Sequence, residues 1–115
     1  LFHDQLIEHD PVGSANTLLG VQNKRPNLYK LAKEISNINA PTLIINGDED
    51  DMCLEVGLFL KRTIKTSGLL IVPKTGHTIN LEEPAIFNNH LLEFYSRINA
   101  STWNERDERA HIIKV

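Results

Sequence analysis

Cysteine is almost missing from this sequence: Cys53 is the only one in 115 residues. That excludes an internal disulfide framework, and it excludes a zinc site built on several thiolates. Long apolar runs are missing too. The longest are Leu43-Ile44-Ile45 and Leu69 to Val72, both far too short to cross a bilayer. There is no basic excess: 12 Lys+Arg stand against 15 Asp+Glu, a net charge of −3. Broad affinity for nucleic acid or an anionic membrane is therefore not expected. The chain starts Leu1-Phe2-His3-Asp4, with no Met and no basic leader. No signal or transit peptide is visible, which makes the expected location cytoplasmic. No internal repeat and no low-complexity stretch breaks the sequence.

The remaining composition is that of a folded chain. The apolar fraction is 41% and the charged fraction 23%, enough to bury one small core and too much for disorder. The length fits one domain rather than two. Residues 1–40 read as a helical segment. His9-Asp10-Pro11-Val12-Gly13-Ser14 reads as a loop, with Ser14 as a cap for a helix from Ala15 to Gln22. Pro26 suits the first turn of a second helix, whose Leu28, Leu31, Ile35 and Ile38 share one face.

From Pro41 the texture changes. Residues 42–46, Thr-Leu-Ile-Ile-Asn, are short, β-branched and apolar on both faces, as in a strand buried within a parallel sheet. Gly47 ends that strand, and Asp48, Glu49, Asp50 and Asp51 follow. A helix is expected from Leu54 to Ile64, with Leu54, Leu58 and Ile64 inward. Residues 69–72 form a second buried strand, and Pro73-Lys74-Thr75-Gly76-His77 is the loop after it. Pro84 opens a long helix with Phe87, Leu91, Phe94 and Tyr95 at helical spacing. Strand, helix, strand, helix over residues 41–99 predicts an α/β fold with parallel strands. Residues 100–115 read as an irregular tail in which Trp103 and Ile113 dock on a neighbouring surface.

Catalytic groups in open parallel sheets collect beyond the C-terminal strand ends. Here the first strand delivers Asp50 and the second delivers His77. If the strands are neighbours, a carboxylate comes beside an imidazole, which is the orienting half of a nucleophilic triad. Asp51 competes with Asp50 for that place. The acidic run does not fit an EF-hand, because the sixth and twelfth positions from Asp48 are Cys53 and Phe59. No metal and no cofactor is expected. Cys53 reads as a small packing residue, and Glu82 and Glu83 as complements to the dipole of the Pro84 helix.

The order Pro41-Thr42-Leu43-Ile44-Ile45-Asn46-Gly47-Asp48-Glu49-Asp50, then Gly76-His77, then Leu81-Glu82-Glu83-Pro84 and Phe87-Asn88 resembles the C-terminal part of α/β-hydrolase fold proteins. The resemblance is strong from about Ala40 to Tyr95. It implies Asp50 as triad acid and His77 as general base, in hydrolysis of an ester or similar small carbonyl substrate. The family's G-x-S-x-G nucleophile elbow is missing: none of Ser14, Ser36, Ser67, Ser96 and Ser101 has glycine on both sides at that spacing. The serine is therefore expected outside this chain, and the chain alone should be inactive. Two strands make an incomplete sheet. The partners expected are the absent N-terminal part of the fold or a second copy, through strand or helix exchange. The rival expectation is a non-catalytic α/β protein-interaction module.

Overall fold

The computed structural model describes residues 2–111. Two compact units divide the chain, Leu1–Lys30 and Leu31–Val115. The first holds α1 (Phe2–Ile7) and α2 (Pro11–Gly20). The second holds, in order, α3 (Ala32–Ser36), β1 (Thr42–Gly47), α4 (Asp51–Thr63), β2 (Ser67–Val72), α5 (Ile79–Glu82) and α6 (Pro84–Asn99).

The first unit corrects one expectation. Pro11 to Ser14 is helix, not loop. Asp10 caps it, accepting the Gly13 N–H on Oδ2 at 2.8 Å, and Pro11 fills the first turn, where its missing N–H costs nothing. Ser14 lies inside the helix. The described side chains of residues 4–30 are all exposed, including Leu18 and Leu19.

The helix expected after Pro26 is split. A 3₁₀ turn at Leu28–Leu31 precedes the short α3, and of its apolar face only Ile35 is buried. The sheet follows the expectation. β1 and β2 pair in parallel from Thr42↔Ser67 to Gly47↔Val72, and α4 is the crossover that packs on both strands. A parallel pair cannot be joined by a tight turn, so a crossover of this length is required. The strands are half-buried rather than buried on both faces, because among the described residues the sheet has two strands only. The buried apolar core is correspondingly small: Ile35, Ile64, Val72 and Ile79. Along α6, Phe87, Leu91 and Phe94 are half-buried at helical spacing, while Tyr95 faces outward. No helix among the described residues is long and apolar enough to cross a membrane.

The tail docks through Trp103, as the sequence led us to expect; Ile113 lies outside the described residues. The indole packs edge-on against Phe94, with centroids 4.8 Å apart, and Arg97 sits over its ring. Its Nε1–H donates to the Thr66 carbonyl at 2.7 Å. Gly68 makes room for it, since a Cβ there would stand 2.7 Å from the ring. Trp103→Ala removes an aromatic pair, a cation–π contact and a hydrogen bond from a half-buried side chain. The expected loss is about 2–3 kcal/mol, at the lower edge for a Trp truncation. Urea unfolding at one fixed protein concentration measures it.

Candidate functional site

The site is built where the two strands end. Beyond the last pair, Gly47↔Val72, the ladder continues: the Asp48 N–H donates to the Val72 carbonyl at 3.0 Å. The Glu49 N–H then donates to the Thr75 carbonyl at 3.0 Å, and the Thr75 N–H donates to Asp48 Oδ1 at 3.3 Å. Lys74 Nζ and Glu49 Oε1 pair at 3.1 Å, an exposed contact of small energetic weight. Thr75 is fully buried beneath these contacts. Gly47 is the tightest point. A Cβ at this position would overlap the carbonyl oxygens of Thr75 and Gly76, so only glycine lets the loops lie this close.

Sewn together in this way, the loops bring Asp50 and His77 into contact. Asp50 Oδ2 lies 2.7 Å from His77 Nδ1. The Asp50 side chain is 17% exposed and that of His77 is 78% exposed. Asp50 also occupies the N-cap of α4, yet its carboxylate makes no cap hydrogen bond there. Its Oδ2 meets the imidazole instead. Asp51, the other acid weighed in the sequence, opens α4 and is exposed. The hydrogen bond with His77 holds the Asp50 carboxyl below the ordinary carboxylate range, and a second one from Cys53 acts in the same sense.

Two side chains at the site differ from their sequence readings. Cys53, three residues into α4, faces the pair instead of serving only as packing. Its Sγ is 3.9 Å from His77 Nδ1. Its hydrogen bond to the Asp50 carboxylate pushes the thiol pKa up, and desolvation adds to that effect. A thiol held protonated is a poor nucleophile. Glu82 has contacts that its reading as a dipole complement does not include. It lies at the end of α5, and its carboxylate turns back onto the Gly-His loop. Oε1 accepts the Gly76 N–H at 3.1 Å and Oε2 accepts the Thr78 hydroxyl at 3.2 Å. It therefore holds the Gly76 backbone on one side of His77 and the Thr78 side chain on the other. The sequence signal was the acidic residue five positions after the histidine, which the α6 reading absorbed. His9 lies in the bend between α1 and α2, and His90 lies on α6.

The chemistry of this arrangement follows from its geometry. A carboxylate on Nδ1 fixes the imidazole tautomer and stabilises its charged form, leaving Nε2 for proton transfer.

No family model matches the chain. It is 30% identical over 93 residues to a candidate 2-succinyl-6-hydroxy-2,4-cyclohexadiene-1-carboxylate synthase of Bacillus subtilis (strain 168), a match covering 80% of this chain and 33% of that protein. The solved structure of MenH from S. aureus aligns with a TM-score of 0.59 and 28% identity, over 64% of this chain and 27% of that one. The chain thus spans about a third of the length of the curated relative it matches. With two parallel strands joined by a crossover helix, the chain has the architecture of the C-terminal part of an α/β-hydrolase fold, as in the MenH structure it is similar to.

Proposed function

We propose that this chain supplies the acid and the base of a Ser-His-Asp triad whose serine lies outside it. Asp50 orients His77 and stabilises the imidazolium. His77 takes the proton of the serine hydroxyl through Nε2, returns it to the leaving group, and then activates water for deacylation. The observation that carries this reading is the 2.7 Å contact between Asp50 Oδ2 and His77 Nδ1, with Asp50 released from its helix cap to make it. No cofactor takes part.

The substrate is a small molecule with an activated carbonyl. The name of the Bacillus relative points to a succinylated cyclohexadiene carboxylate as the product class to assay first. The rest of the sheet, and with it the nucleophile, comes from the N-terminal part of the fold. A second copy of the chain, through strand or helix exchange, is the alternative source of flanking strands. The open edges of the two-stranded sheet support this view.

The test is turnover by protein made from the complete reading frame that contains the chain. Formation of 2-succinyl-6-hydroxy-2,4-cyclohexadiene-1-carboxylate and release from a p-nitrophenyl ester are both measured. His77→Ala is expected to lower kcat by about 10⁶, the loss for removing a triad histidine. Undiminished turnover in His77→Ala would discard the triad, and no turnover even by the unsubstituted protein would leave the protein-interaction module as the reading to pursue.

A further inference from the structure

The Asp50–His77 pair has a third donor beside it that a proton relay does not need. Cys53 Sγ, a carboxylate oxygen of Asp50 and a ring nitrogen of His77 all lie within 4.8 Å of one another. They come from two chain segments, and each offers a different donor element. Sulfur, imidazole nitrogen and carboxylate oxygen together form a donor set that suits zinc and not magnesium or calcium.

We propose that this triplet is a binding site for Zn²⁺, with three protein ligands and one position open to water. Zinc sits about 2.0–2.3 Å from such ligands in tetrahedral array, which sets donor-to-donor spacings of roughly 3.3–3.7 Å. The Cys53–His77 separation of 3.9 Å is already close to that spacing. The Asp50–His77 separation of 2.7 Å must widen by roughly half an ångström to meet it. His77 can supply that movement, because its side chain is 78% exposed and packs loosely. The ion takes the place of the proton between Asp50 and His77, leaving the neutral imidazole with its proton on Nε2, and displaces the thiol proton of Cys53 to solvent. It therefore locks the imidazole to the metal through Nδ1 and prevents Asp50 from stabilising an imidazolium.

Binding of zinc stands apart from the hydrolase reading; inhibition of turnover by zinc rests on it. The experiment accordingly reads binding on the 115-residue chain itself. Zn²⁺ is titrated by calorimetry against a chelator of known affinity, and Co²⁺ serves as a visible probe of coordination. The expected result is a one-to-one complex whose Co²⁺ spectrum shows tetrahedral bands and a thiolate charge-transfer band. Cys53→Ser should abolish the charge-transfer band and weaken Zn²⁺ at least tenfold, since even loss of a ligand's supporting hydrogen bond costs tenfold or more. His77→Asn should weaken it comparably, and His90→Asn should not. Zn²⁺ should also protect Cys53 of the unsubstituted chain from alkylation, a readout that does not depend on any variant folding. Unchanged alkylation at saturating zinc, or affinity indifferent to Cys53→Ser, would overturn the proposal. Zinc binding without loss of turnover would retain the site and count against the triad.

Discussion

Asp50→Asn is expected to lower kcat of the complete hydrolase by about 10⁴ while leaving the fold and the substrate KM nearly unchanged. The replacement keeps the shape of the side chain. It removes the charge that stabilises the imidazolium, and it allows the amide nitrogen to donate to Nδ1, which sets the wrong tautomer. No helix cap is lost, because Asp50 does not cap α4. Asp51→Asn is the matching control. Asp51 is an exposed first-turn acid, worth no more than a helix-dipole contribution of about 0.3–1 kcal/mol to stability, and kcat should hold. The same pair of variants decides which acid serves His77. The pH dependence has a definite sign. The folded-state pKa of Asp50 is depressed by His77 and Cys53. Its contribution to stability is therefore present above the ordinary carboxylate range and lost as pH falls through the lowered folded value. Asp50→Asn should remove that acid-side loss from a stability-against-pH profile.

The strand-helix-strand order and the two strand-end residues were legible because they rest on short-range signals. Thr42 to Asn46 and Leu69 to Val72 are apolar on both faces, and Gly47 and Gly76 mark where each strand gives way to a loop. Parallel pairing then follows from the helix between them. The errors came where one residue type carries two meanings. Pro11 and Gly13 punctuate loops in most sequences, yet Pro11 is also suited to the first helical turn once Asp10 precedes it. Leu28 and Ile38 have helical spacing with Ile35, but spacing cannot tell whether a neighbouring surface exists to bury them. The roles of Cys53 and Glu82 were illegible for another reason. Each depends on a contact between segments, Cys53 with His77 across 24 positions and Glu82 with the loop before it. No periodicity encodes contacts of that kind. The half-burial of both strands has the same origin: the composition of a strand reports the sheet it belongs to, and two strands supply only part of that sheet.

Gly47→Ala should lower stability by about 2–3 kcal/mol, within the range for overpacking a tight contact. For a domain of this size that corresponds to a fall in Tm of about 10–20 °C. A single methyl does this because its neighbours are backbone. The added Cβ meets the Thr75 and Gly76 carbonyl oxygens, and the Thr75 carbonyl carbon stands 2.7 Å away. Neither can rotate aside as the tip of a side chain would. Relief requires the Gly-His loop to lift from the end of β1, breaking the Glu49-to-Thr75 and Thr75-to-Asp48 hydrogen bonds that align it. The Asp50–His77 contact depends on that alignment, so the low-field Nδ1–H resonance of His77 should disappear together with the lost stability. Gly20→Ala is the counterpart: a Cβ there meets nothing within 4 Å at the end of α2, and helix propensity favours alanine. Its Tm should stay level or rise. Equal melting of the two variants, with the His77 resonance retained in both, would show that the loops are joined by something other than the close approach at Gly47.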